Sequence, residues 1–211
     1  AHGTGGFNPA ERVVAALEHR LAEMAEAKAL PDVITFAGNG EPTMHPEFER
    51  IIDETLRLRD RYAPQTRVAV LSNATMIDRP AVRRALLRVD RNILKLDSAL
   101  DETVRRINQP QNGRTVAETI DLLGGFEGKL IVQTMLLRGD YGGHRIDNTT
   151  PEEVEAYLEA ISRIRPREVM LYTIDRNTPA DGLEKVSFEE MEAIADRLRE
   201  ALPGLVVSVA R

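Results

Sequence analysis

The chain contains no cysteine in its 211 residues. That absence excludes disulfides, a thiol nucleophile, zinc fingers and any iron–sulfur cluster held by the chain's own thiolates. Positive charge is also scarce: 28 Lys and Arg stand against 34 Asp and Glu, a net charge of -6. A long footprint on duplex DNA needs a basic face, so duplex DNA is not an expected partner. No apolar run approaches the roughly 18 residues of a membrane span, and no charged-then-apolar segment opens the chain. A membrane partner is therefore not expected, and the expected compartment is cytoplasmic. The histidines, His2, His19, His45 and His144, lack the spacing of a metal site. There is no Ser/His/Asp elbow and no phosphate-binding Gly-Lys-Ser/Thr loop; "GGFEGK", 124–129, reads as a helix-ending turn.

What is present is alternation. Helical periodicity is expected over 9–27, with Asn8 as N-cap and Val13, Leu17, Leu21 and Met24 inward, and over 46–62, with Phe48, Ile51, Ile52, Thr55 and Leu56 inward. Shorter helices are expected at 81–87, 102–107 and 116–123. Another starts at Thr150, Pro151 and Glu153 with Val154, Leu158, Ile161 and Ile164 inward, and a capping box at Ser187 opens the last, with Met191, Ile194 and Leu198 inward. Apolar strands are expected at 33–37, 68–71, 92–97, 130–136 and 169–174, with "LVVSV" closing the chain. "RGDYGGHRIDN" and "NQPQNGR" read as loops. Continuously apolar strands alternating with helices imply parallel pairing under helical cover. Right-handed crossovers then give an open doubly wound sheet or a barrel, and the regularity suits a full or partial barrel in one domain.

Polar residues gather at the strand ends. The first strand ends in Gly38-Asn39-Gly40-Glu41-Pro42-Thr43, the second in Ser72-Asn73-Ala74-Thr75. The third carries Lys95, Asp97 and Ser98, the fourth Gln133 and Thr134, and the fifth ends in Tyr172-Thr173-Ile174-Asp175-Arg176. In parallel α/β folds such ends point to one face, where sites form. Lys95 and Gln133 interrupt apolar runs, and burying them costs free energy unless they are paired. Each residue has a plainer reading: Glu41 as a helix cap, Asp97 as a turn residue, Gln133 as a layer residue bonded to its neighbours, Arg176 as a solvated charge, His45 as structural. Five such ends on one face favour a ligand site.

In this order "GNGEPT", "LSNAT", "LKLD", "VQT" and "YTIDR" resemble the radical S-adenosylmethionine (SAM) enzymes, in a subgroup with Gly-Asn-Gly-Glu-Pro-Thr, over nearly the whole chain. The resemblance implies an α/β fold, a partial (β/α)6 TIM-like barrel of parallel strands, with the first strand missing ahead of the first helix. It implies SAM and a metal-binding iron–sulfur [4Fe–4S] cluster as cofactors, the cluster held by an N-terminal Cys-x-x-x-Cys-x-x-Cys segment. It implies oxidoreductase-type catalytic activity, in which a 5′-deoxyadenosyl radical abstracts hydrogen from substrate, and an electron donor such as flavodoxin or ferredoxin. By the resemblance, Gly38, Gly40, Glu41 and Pro42 form the cofactor-binding turn, with the methionine ammonium at Glu41 or at the backbone around it. Ser72 and Asn73 fall near the methionine carboxylate or ribose, Asp97 reaches the ribose hydroxyls or the carboxylate, Gln133 lines ribose and adenine, and Tyr172 and Arg176 flank adenine and substrate. The substrate stays open among small molecule, peptide and RNA.

The departure from the family is the missing thiolates. With "AHGTGGFN" at its front and no initiator Met, the chain reads as the single core domain, 1–211, of an N-terminally truncated radical SAM enzyme. By itself it is expected to be inactive for want of cluster cysteines. Two other readings compete: a cluster-independent barrel lyase or aldolase-like enzyme using Lys95 as base or Schiff-base former, and a non-catalytic binding scaffold derived from the barrel.

Overall fold

The computed structural model describes residues 6–37, 40–109, 113–174 and 182–210. The chain divides into two compact units, residues 1–72 with 76–92, and 73–75 with 93–211.

The first unit begins with α1 (Ala10–Glu26). Its N-cap is Pro9, in extended backbone, and no side chain caps it. The expectation for Asn8 is corrected here: it stands one residue outside the cap, and its carbonyl serves another partner described below. β1 (Val33–Phe36) leads through a single 3-10 turn, Pro42–Met44, into α2 (Phe48–Tyr62), β2 (Arg67–Ser72) and α3 (Pro80–Leu86). β1 and β2 are parallel, from Val33 opposite Arg67 to Phe36 opposite Val70. α2 buries Phe48, Ile51, Ile52, Thr55 and Leu58. Leu58 takes the inward place expected for Leu56, because the 3.6-residue period carries the stripe from Thr55 to Leu58. Leu21, Leu58 and Ala63 form a core with Val14, Leu17, Ile34 and Tyr62 packed on it.

The second unit contains β3 (Arg91–Lys95) from Ile93 onward, α4 (Asp101–Asn108), α5 (Val116–Gly124), β4 (Ile131–Tyr141), β5 (His144–Asp147), α6 (Pro151–Ile164), β6 (Glu168–Thr173), β7 (Leu183–Lys185), α7 (Phe188–Ala201) and β8 (Val206–Val209). β3, β4, β6 and β8 are parallel neighbours in that order. Met191, Ile194 and Leu198 face inward from α7, and Ser187 caps it in the expected capping box. On α6 Tyr157 is buried where Leu158 was expected.

One expectation is overturned outright. "RGDYGGHRIDN" is not a loop: β4 runs on to Tyr141 and turns back into β5. Gly142 and Gly143 have φ of 57° and 79°, the left-handed pair that a tight two-residue hairpin requires. β7 pairs antiparallel with the other edge of the β4 extension, Leu137 opposite Lys185, so a three-stranded antiparallel ribbon continues β4. Among the described residues no helix is long and apolar enough to cross a membrane.

Candidate functional site

In the first unit, the turn after β1 is built around one carboxylate. Glu41 is the N-cap of the 3-10 turn, and Pro42 fixes the backbone as the turn starts. Glu41 Oε1 accepts from the Thr43 amide at 3.1 Å, the Thr43 hydroxyl at 2.5 Å and the Ser72 hydroxyl at 2.7 Å. Thr43 is fully buried, and Ser72, at the end of β2, is 6% exposed. The carboxylate is therefore held between its own turn and the next strand end, with side chains fixing its direction. The plainer reading of Glu41 as the cap of the helix near Pro46 is corrected: Glu47 is the N-cap of α2, Glu41 caps the 3-10 turn, and the bond from Ser72 goes beyond capping.

His45 closes the same turn. Its Nδ1 accepts the Glu47 amide at 3.0 Å, and its Nε2 lies 2.8 Å from the Asn8 carbonyl. Phe7 meets the ring edge-on, centroids 5.1 Å apart.

In the second unit, strand register puts Lys95, Gln133, Met170 and Ser208 side by side, and Met135 beside Tyr172 one step further along. Alternation places all of them on one face. The other face lies under helices: the hydroxyls of Thr134 and of Tyr157 on α6 are 2.5 Å apart. Asp97, 3% exposed, continues the Lys95 side. Its Oδ1 accepts the Met135 amide at 2.9 Å; its Oδ2 accepts Asn108 Nδ2 at 2.6 Å and pairs with Lys95 Nζ at 3.1 Å. A carboxylate offers about four acceptor positions, and these donors use three. Asn148 fixes the backbone behind it, donating to the Asp97 and Met135 carbonyls and accepting the Leu137 amide. Behind that, Glu153, near the start of α6, accepts from the Ser98 hydroxyl at 2.6 Å and from the Thr103 hydroxyl. Burial, and after it the Asp97 charge, push the Tyr172 phenol up to about 12.

The residues read from sequence thus fall in two sets. Glu41, Pro42 and Ser72, with Gly40 beside them, belong to the first unit; Asp97, Gln133 and Tyr172 line one side of the second. Asn73, exposed, also belongs to the second unit. Gly38 and Arg176 lie outside the described residues. Sequence reasoning missed Thr43, Asn108 and Asn148, which orient the two carboxylates. Thr43 lies in the quoted turn two residues after Glu41, the spacing of a side-chain cap; the asparagines looked like turn formers, and their long-range partners leave no local signal.

Placed carboxylates and amides at strand ends suit a polar cofactor bearing an ammonium and hydroxyls, and SAM has both. The same residues do not suit an iron–sulfur cluster: the chain has no cysteine, and among the described residues no three His, Asp or Glu side chains are grouped to hold a metal.

Comparison with known proteins agrees with the fold. The chain is 33% identical over 152 residues to a UPF0026 protein of Synechocystis sp., covering 70% of this chain and 52% of that protein. It is 28% identical over 165 residues to a protein of Brachyspira hyodysenteriae named GTPase Obg, covering 76% of this chain and 22% of that protein. It thus spans about half, or less, of the curated relatives it matches. Among solved structures, Streptococcus suis SuiB bound to the precursor peptide SuiA superposes with a TM-score of 0.67 at 13% identity, covering 98% of this chain and 43% of SuiB. That likeness shows the fold, an α/β arrangement of parallel strands of the partial TIM-barrel kind. The Radical SAM superfamily model matches residues 4–144, about two thirds of the chain, and the chain belongs to that superfamily.

Proposed function

We propose that this chain is the SAM-binding core of a radical SAM enzyme. Glu41 receives the methionine ammonium, and Ser72 and Thr43 aim its carboxylate. Gly40, where an added Cβ would meet nothing within 4 Å, leaves room for close backbone approach. Within the second unit by itself, Asp97 keeps an acceptor position for a hydroxyl such as that of a ribose, and Gln133 and Tyr172 line the same side. SAM, when bound beside a reduced [4Fe–4S] cluster, supplies a carbon-centred radical for hydrogen abstraction. The thiolates for that cluster come from outside these residues, and the electron from a small donor of the flavodoxin or ferredoxin kind. The chain's own part is to orient the cofactor and shield it. The fold shared with SuiB, which is solved with a precursor peptide, supports a peptide or small molecule as substrate.

The observation that carries this reading is the fixed Glu41 carboxylate, with three donors on one oxygen. Isothermal titration of SAM into the purified chain tests it. Glu41→Gln keeps an acceptor oxygen for Thr43 and Ser72 but removes the charge. We expect SAM affinity to fall at least tenfold, about 1.4 kcal/mol, with little change in Tm. Unchanged SAM affinity would mean that Glu41 only caps its turn. Lys95 is engaged by Asp97 at 3.1 Å, the arrangement of a charge partner, so borohydride trapping of a carbonyl compound is not expected.

A further inference from the structure

We infer that His45 is a positioning residue for the Glu41 turn, acting as a clip whose hold depends on protonation. The inference rests on the reading that this turn receives SAM. Nδ1 accepts a backbone N–H from Glu47, so it carries no proton; the ring proton therefore sits on Nε2, which donates to the Asn8 carbonyl. Both nitrogens are committed, and the neutral Nε2–H form alone satisfies both bonds. The ring bridges 37 positions of sequence, from the turn back to the segment that leads into α1. Phe7 packs against its edge, and Arg50 bridges Glu11 on α1 and Glu47 at the start of α2.

The turn needs such a tie. It is only three residues long, and Met44 within it is 49% exposed. Like the Ser72–Glu41 bond, the His45–Asn8 bond ties the turn to a distant segment. Protonation would place a second N–H on Nδ1, aimed at the Glu47 N–H; two donors then face each other and the clip opens. The hold is full while Nδ1 is unprotonated and is lost when Nδ1 gains a proton. The charged groups on the elements that meet here are Glu11 from α1, Glu47 and Arg50 from α2, and Glu41 in the turn. The carboxylates of Glu11 and Glu47 are engaged by Arg50.

Two measurements on the chain decide the matter. SAM affinity is followed by calorimetry from pH 8 to 5.5 in wild type and in His45→Gln, a variant that keeps a donor and an acceptor but does not titrate. Wild type is expected to weaken at least threefold more than His45→Gln as pH falls; an identical pH profile in both overturns the proposal. Independently of SAM, 15N NMR of the wild-type imidazole is expected to show the Nε2–H form at pH 8, with the Glu47 amide and Phe7 ring signals shifting along the His45 titration. An Nδ1–H form, or Glu47 and Phe7 signals that ignore that titration, overturns it without any variant. Failure of wild type to bind SAM at any pH would sink the cofactor reading and leave the NMR result to judge the clip.

Discussion

At the residue scale, the chemistry depends on who holds each carboxylate. Glu41 is aimed by hydroxyls from Thr43 and Ser72, and Asp97 by Asn108, Lys95 and a backbone amide. Ser72→Ala is therefore expected to leave the fold intact, lower stability by about 1 kcal/mol and weaken SAM binding through a looser Glu41, read by thermal melts and calorimetry. Tyr172 gives a pH prediction with a definite sign. Its folded phenol sits at about 12, above the ordinary value of 10, because ionisation beside Asp97 in a buried place is costly. The neutral form is the one that the fold favours. Its contribution to stability is thus complete below pH 10 and disappears as pH rises toward 12. Absorbance titration at 295 nm should show a late phenolate component near pH 12 that Tyr172→Phe removes, together with part of the alkaline loss of stability. The sequence disclosed Glu41, Ser72 and Asp97 as polar strand ends. It could not disclose Asn108 and Asn148, because a residue whose role is a hydrogen bond to a distant strand looks locally like any turn former.

At the element scale, hydrophobic runs were sufficient to place the parallel strands and most helix stripes, since periodicity is a local property. Elements set by backbone geometry were harder. The hairpin of β4 and β5 reads as a loop in the sequence because its glycines count as irregular structure instead of as a left-handed hairpin pair. Gly139 shows the cost of that geometry. Its φ is 124°, and a Cβ there would lie 2.0 Å from the Gly182 carbonyl oxygen. The Asp140 amide donates to that same oxygen at 2.8 Å, so β7 crosses β4 at glycine contact distance. Gly139→Ala should push the two backbones apart at a cost of about 1–3 kcal/mol. Hydrogen exchange should show faster exchange in β5 and β7, with β3 and the Ile131–Leu136 part of β4 unchanged. Equal protection in the variant would mean that the ribbon does not rely on this crossing.

At the scale of the whole molecule, the chain is a member of the Radical SAM superfamily, and its 211 residues contain no cysteine. Composition made the second half of that statement readable at once; the first half needed the order of five motifs and then the fold. The account's central claim is that Glu41 receives the cofactor's ammonium. A crystal structure of the chain soaked with SAM tests it most directly. The account predicts the methionine nitrogen about 2.7–3.2 Å from the Glu41 carboxylate, with Ser72 still bonded to that side chain. Methionine density placed away from the Glu41 carboxylate would contradict it.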